Sequence, residues 1–118
     1  MSDSPLLVKS KAFALEIIRI CNEIKRNQKE SILTNQLVRS GTSIGANVSE
    51  AQRGQSKPDF YAKLAISLKE ANETRYWIRL LHATQYLSDK EYSSLDTDIN
   101  EIISILVSIC NSKNKDNN

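Results

Sequence analysis

All three glycines of this 118-residue chain fall between positions 41 and 54. Gly41 and Gly45 lie four residues apart in a segment rich in serine, a composition that usually indicates a loop. The surrounding residues nevertheless keep the three-and-four spacing of a buried helical face: Leu33, Leu37, Gly41, Ile44, Val48 and Ala51. An interior helical glycine costs roughly 0.5–1 kcal/mol relative to alanine. We therefore expect a helix whose glycines leave one face without side chains, so that another helix can approach that face closely.

Length and composition predict one soluble domain spanning residues 1–118. Apolar residues make up 40% of the chain and charged residues 25%, which is a globular balance. No apolar run approaches the roughly 20 residues needed to span a bilayer, so we expect no membrane association. The first residues lack the basic and apolar segments of an export signal, and the expected location is the cytoplasm.

The apolar periodicity and the capping residues predict four helices, over residues 6–27, 32–53, 57–86 and 89–111. Ser31 is the expected N-cap of the second helix, Ser56 precedes an early proline at the third, and Ser88 forms a capping box with Glu91 at the fourth. Residues 112–118 are polar and are predicted to be a flexible tail. Long helices with short connections predict an all-α, up-down-up-down antiparallel four-helix bundle.

In such a bundle the turn between helices two and three determines which residues lie at the same level. Gly41 is then level with Leu68 and Gly45 with Leu64, so the sequence predicts small residues on one helix packed against large ones on the next.

The same levels predict a polar network that holds the register of these helices. Arg39 lies near Glu70 and Glu73, and Asn47 and Glu50 complete the expected network. For these glutamates, ion-pair roles are favoured over catalytic ones because basic side chains lie close by in the predicted helices.

Helix four carries apolar residues outside its main stripe, among them Ile103 and Ile105, and helix one also has a surplus. An isolated bundle needs one apolar stripe per helix, so the surplus predicts a second buried face. A homo-oligomer is the simplest explanation.

No arrangement of residues predicts an enzyme, a cofactor or a metal site. A di-iron bundle carries a glutamate three residues before each metal-binding histidine. The chain has a single histidine, His82, and Arg79 stands where that glutamate would be. Cys21 and Cys110 are predicted to lie roughly 20 Å apart along antiparallel helices, too far for a disulfide within one chain. Both are expected to be core thiols.

Two segments resemble a known family. These are the run Q-L-V-R-S-G-T-S-I-G-A-N-V-S-E from Gln36 and the run F-Y-A-K-L-A-I-S-L-K-E-A-N-E-T-R-Y-W from Phe60. The chain resembles the four-helix-bundle family of 23S rRNA intervening-sequence proteins over roughly residues 13–87. It departs from the family pattern after Glu50, where Ala51 to Gly54 replaces the usual glycine-aromatic-glycine turn.

The resemblance implies a left-handed bundle that assembles into a ring-like homopentamer. It also implies kinship with the accessory protein of diversity-generating retroelements, which resembles a basic pentameric barrel that binds nucleic acid and a reverse transcriptase.

The distribution of charge leaves two functions open. Residues 1–79 carry 13 basic side chains against 8 acidic ones, although the net charge of the chain is only +2. One hypothesis is an accessory module that binds RNA or DNA through basic clusters repeated around an oligomer. The candidate contacts are Lys25, Arg26, Lys29, Arg53 and Lys57. The alternative is a structural or protein-interaction oligomer, with another protein as partner and no affinity for nucleic acid.

Overall fold

The computed structural model describes the backbone of residues 4–116 and the side chains of residues 4–113. Four helices run along the chain: α1 (Pro5–Gln28), α2 (Ile32–Gln52), α3 (Lys57–Ala83) and α4 (Asp89–Asp116). Each helix packs against its neighbours in sequence, and α1 contacts α4 to close a bundle of 51 × 23 × 23 Å. The predicted all-α bundle is confirmed, and its handedness stays a prediction.

One continuous apolar core runs along the bundle axis. Its fully buried members recur at helical spacing on every helix. The largest of them are Ile17, Ile20, Leu37, Ile44, Leu64, Ile78, Leu81, Leu95, Ile99, Ile102 and Leu106. The predicted stripe of α4 is thus the face that the bundle buries.

The turn between α1 and α2 is fixed by a glutamate that the sequence analysis overlooked. Ser31 occupies the N-cap position of α2, but its side chain makes no capping hydrogen bond. The Glu30 carboxylate instead accepts hydrogen bonds from the backbone N–H groups of Leu33 (2.8 Å) and Thr34 (2.9 Å). The Ser31 cap is therefore wrong in its chemistry, although the start of the helix at Ile32 is correct.

Replacing Glu30 with alanine should lower the free energy of unfolding at neutral pH by about 1 kcal/mol, the usual value of an N-cap. Burial raises the pKa of Glu30, but the backbone hydrogen bonds from Leu33 and Thr34 outweigh it and hold the pKa below its ordinary value. A carboxylate with a lowered folded-state pKa stabilises the fold above its unfolded pKa, and this stabilisation is lost as the pH falls through the folded pKa.

The difference between wild type and Glu30→Ala should accordingly shrink as the pH falls below about 4.3, measured by urea unfolding at several pH values. Ser31→Ala is the matched control and should be nearly neutral, because the Ser31 hydroxyl caps nothing. An equal loss of stability at pH 7 and pH 3 would contradict the assignment of Glu30 as the cap.

Helix α3 ends at Ala83, three residues before the predicted end. Gln85 adopts a left-handed backbone conformation with φ of 70°. Around it the N–H of Gln85 bonds to the His82 carbonyl and that of Tyr86 to the Leu81 carbonyl, which is the pattern of a Schellman C-cap. Glycine usually occupies this position, so a glutamine there gave the sequence analysis no stop signal.

Helix α4 begins as predicted and ends later than predicted. The Ser88 hydroxyl accepts from the Glu91 N–H (3.1 Å) while the Glu91 carboxylate accepts from the Ser88 N–H (3.0 Å), which is the expected capping box. The helix continues to Asp116, so the predicted tail is helical over 112–116. Residues 117 and 118 of that tail lie outside the described part of the chain.

The close approach at the glycines is to α1 and not to α3. A Cβ atom at Gly41 would lie 3.3 Å from Ile17 Cγ2, and one at Gly45 would lie 3.4 Å from Ser10 Cβ. The predicted pairing with Leu68 and Leu64 is therefore wrong. The levels of α2 and α3 were placed correctly, but α2 is rotated about its axis so that both glycines face α1.

Helices α2 and α3 also approach closely, at a different small residue. The buried Ser67 hydroxyl donates a 2.9 Å hydrogen bond across the interface to the Ile44 carbonyl. This bond satisfies the serine and brings the α3 backbone near that of α2.

Candidate nucleic-acid interface

The first basic cluster, Lys25, Arg26 and Lys29, lies where α1 ends. Lys29 is the C-cap residue in the left-handed conformation, with φ of 58°, which turns the chain away from the helix axis. The Gln28 amide donates a 3.1 Å hydrogen bond to the Tyr86 carbonyl. The α1–α2 and α3–α4 turns are thereby joined at one end of the bundle.

The second basic cluster, Arg53 and Lys57, flanks the turn between α2 and α3. Gln52, just before it, donates a 2.6 Å hydrogen bond to the Ser4 hydroxyl at the start of α1. This turn therefore lies beside the N-terminal end of α1, at the opposite end of the bundle from the first cluster. The two clusters therefore lie at opposite ends, because consecutive turns of an antiparallel bundle alternate between its ends.

The cations of the two clusters share one property, the lack of a carboxylate partner among the described residues. Within the described residues, none of the five forms an ion pair, and four of them are exposed while Lys25 is half-buried. On the sides of the bundle some cations are paired, such as Lys9 with Glu101 at 3.0 Å and Arg79 with Asp96 at 3.5 Å, whereas Lys69 has no ion pair within the described residues. Both ends of the bundle thus carry positive charge that no carboxylate of the described residues compensates.

An exposed aromatic residue, Tyr76, lies on α3 and was missed by the sequence analysis. Its side chain is 58% exposed and its ring packs edge-on against Trp77, with ring centroids 5.1 Å apart. Helical spacing places Lys69, Asn72 and Arg79 on the same outward face. The signal in the sequence is the position of Tyr76 outside the stripe of α3 that the bundle buries.

The predicted polar network forms around Arg39 but includes only part of the expected set. Arg39 pairs with Glu70 at 3.3 Å and also with Glu73. Glu73 in turn accepts a 3.1 Å hydrogen bond from the indole N–H of Trp77. Because 48% of the Arg39 side chain is exposed, solvent screens these pairs and each is worth about 1 kcal/mol or less.

Asn47 and Glu50 do not belong to that network. The Asn47 amide donates to the Ser43 carbonyl one turn earlier in the same helix (2.8 Å), and Glu50 pairs with Lys63 at 2.9 Å. Both residues lie further along α2 than Arg39. The prediction of one five-residue network is therefore wrong, because these residues form separate contacts. The Glu50–Lys63 pair also bridges α2 and α3.

The residues predicted for the oligomer face have different environments. Ile103 is only 9% exposed and belongs to the core of its own bundle, so its assignment to an intermolecular face is wrong. Ile105 is half-buried and packs against the core from the side. Among the described residues, α1 has more exposed large apolar side chains than any other helix, and of these Val8 is 57% and Leu15 61% exposed.

The two cysteines and the histidine are packed or paired within the described part of the chain. Both thiols are free, and burial raises the pKa of the Cys21 thiol to about 12. His82 Nε2 lies 2.8 Å from Asp89 Oδ1, and its ring stacks on Tyr92. No three His, Cys, Asp or Glu side chains of the described chain are grouped as a metal site would require.

The fold and the site define an all-helical bundle protein with unpaired basic residues at both ends. The sequence profile described as "23S rRNA-intervening sequence protein" matches residues 3–108, and the chain belongs to that family. The resemblance drawn from the two segments is confirmed.

A solved structure supports the same assignment. It is a crystal structure from Bacteroides thetaiotaomicron, described as a protein of unknown function from the S23 ribosomal protein family. The two chains are 46% identical with a TM-score of 0.87, over 89% of this chain and 97% of that one. No curated protein matches. Within the described residues no helix has the length and hydropathy to cross a membrane.

Proposed function

We propose that this protein is a non-enzymatic, homo-oligomeric accessory module of the cytoplasm that binds RNA or DNA through its basic ends. The observation that carries the proposal is the lack of ion pairs, within the described residues, at Lys25, Arg26, Lys29, Arg53 and Lys57. An unpaired lysine or arginine can take a phosphate without first giving up a carboxylate partner. Such contacts address the backbone of a nucleic acid and carry no sequence preference.

Self-association would multiply these contacts. The exposed side chains of Val8, Leu15 and Ile18 give α1 an outward apolar strip that a second copy could cover. In a ring of subunits, five by resemblance to the family, each basic cluster recurs around a rim. Repetition turns weak single contacts into useful avidity, which offsets the small net charge of one chain.

Tyr76 adds a contact of a different kind. An exposed aromatic ring with lysine and arginine on the same helical face is typical of surfaces on which an unpaired base stacks. This feature supports single-stranded or looped nucleic acid over a continuous duplex.

The second candidate function is a protein-interaction oligomer that does not bind nucleic acid. It is favoured by the apolar strip of α1, because that strip suits a helix of another protein as well as a second copy. The two functions differ in the role of charge, so the test must change charge and leave the apolar strip intact.

The test measures binding of a labelled RNA hairpin, and of a DNA of the same sequence, by fluorescence anisotropy at about 50 and 200 mM salt. We expect affinity for RNA to fall at least about tenfold over this range. Arg26→Glu with Lys29→Glu reverses the two exposed charges of the first cluster, and Arg53→Glu with Lys57→Glu reverses both charges of the second. The double variant at the functional rim should weaken binding and reduce the salt dependence.

Arg39→Glu with Lys63→Glu is the matched control, with the same change of charge on α2 and α3 outside both end clusters, the apolar strip of α1 and the helical face of Tyr76. It should reduce binding less than the variant at the functional rim. Sedimentation and circular dichroism establish that mass and helicity are unchanged in each variant. Absence of any shift at about 50 mM salt, with the oligomer intact, would refute nucleic-acid binding and favour the interaction protein. Equal weakening by all three variants would refute an interface at the ends.

A further inference from the structure

A cavity of about 250 Å³ opens between the four helices at the end of the bundle where α1 and α3 begin. Its walls are apolar side chains from all four helices: Leu6, Val48, Phe60, Leu64, Ile105 and Ile109. Phe60, Ile105 and Ile109 are only partly buried, because they line this space instead of filling it. The cavity is thus an unfilled extension of the core that reaches the surface.

The polar groups at the rim of the cavity are occupied by one another. The Ser4 hydroxyl accepts hydrogen bonds from the Leu7 N–H (3.1 Å) and from the Gln52 amide (2.6 Å). No charged side chain lines the cavity. A water molecule inside would find too few of the two to four polar partners that it needs, so the space favours an apolar occupant.

We propose that this cavity binds a small, uncharged, apolar molecule about the size of a fused two-ring aromatic compound. A dry apolar cavity of about 150 Å³ accepts benzene, and the larger volume here accommodates a second ring. Binding is selected by size and by the absence of charge. A carboxylate on the same ring system is rejected, because no cation lines the cavity to pair with it.

This site is independent of the proposed role in nucleic-acid binding. Its walls contain none of the five basic residues, and the apolar strip of α1 points outward from the core. The occupant inferred here is a small molecule. A side chain from a second copy is the competing occupant and is one outcome of the test.

The experiment is a titration of the full chain with indole, followed by methyl resonances in ¹H–¹³C NMR spectra. We expect saturable shifts centred on the methyl groups of Val48, Leu64 and Ile105, with a dissociation constant on the order of 1 mM or tighter. Indole-3-carboxylate should bind at least about tenfold more weakly, since its charge must be desolvated.

Ile105→Phe fills the cavity from its wall and should weaken indole binding at least about tenfold. Ile66→Phe is the matched control, with the same substitution at a residue that is 43% exposed on α3, and it should leave the affinity within about twofold. Ile109→Phe repeats the test from another position on α4 if the first variant does not fold.

Three results would overturn the proposal. The first is the absence of saturable shifts in the wild type at about 5 mM indole. The second is undiminished binding in a folded variant whose cavity is filled. The third is a set of nuclear Overhauser effects from a second copy to the cavity methyls in the ligand-free protein, which would make the cavity a subunit contact.

Discussion

Replacing Gly41 with leucine should lower the free energy of unfolding by about 3 kcal/mol. Gly41 is buried, and a Cβ atom there would already lie within 3.3 to 3.8 Å of three side-chain atoms of Ile17. The three further carbons of leucine have no space unless α1 and α2 separate. Separation would remove Ile17 and its neighbours from their contacts along the whole α1–α2 interface. Urea unfolding followed by circular dichroism measures the effect.

Two variants separate this overpacking from a general effect of leucine on α2. Ala46→Leu adds the same side chain at an exposed position of the same helix and should change stability by less than about 0.5 kcal/mol. Gly41→Ala should lie between wild type and Gly41→Leu, since the gain in helix propensity opposes the tight contact with Ile17. If Gly41→Leu were as stable as Ala46→Leu, the close approach of α1 and α2 at Gly41 would be refuted.

Replacing Ile103 with aspartate should destabilise the fold by at least about 4 kcal/mol. The side chain is 9% exposed and belongs to the core, so the substitution removes apolar burial and introduces a carboxylate that the core leaves without a partner. Because the loss is so large, we expect lower helicity and a lower midpoint of thermal unfolding. The main effect of the substitution should be loss of folding, and any loss of assembly should follow from it.

Val107→Asp is the matched control, four residues further along the same helix, where the side chain is 39% exposed. It should retain the helicity and most of the stability of the wild type. Leu15→Asp tests the apolar strip of α1 and should reduce the mass in sedimentation without loss of helicity. A fully folded, dissociated Ile103→Asp protein would contradict the placement of Ile103 in the core and would restore its assignment to the oligomer face.

The helices and most of their starts were predictable because their signals are local. A serine followed three residues later by glutamate at Ser88 fixes a helix start by chemistry that needs no knowledge of the fold. The end of α3 was not predictable in the same way. Gln85 adopts a left-handed conformation in which the N–H groups of Gln85 and Tyr86 bond to the carbonyls of His82 and Leu81. The sequence has no glycine at this position to indicate the end of the helix.

The levels of α2 and α3 followed from the turn between them, and they place Arg39 beside Glu70 and Glu73 as expected. The direction in which the two glycines face could not be predicted from the turn. Small residues occur on two sides of α2, and level alone does not distinguish them. The rotation of α2 about its axis is set by the fit of Gly41 against Ile17 and of Ser67 against the Ile44 carbonyl, which depends on three helices together.

The closure of the bundle between α1 and α4, which pack less closely than the other neighbouring pairs, has a consequence for the kinetics of folding. The close interfaces join helices adjacent in sequence, so they form across short loops at low entropic cost. The α1–α4 seam joins the two ends of the chain and requires the longest loop closure. We therefore expect α2 and α3 to assemble first and the outer helices to dock afterwards, and we expect the α1–α4 seam to be the first interface to open in hydrogen exchange.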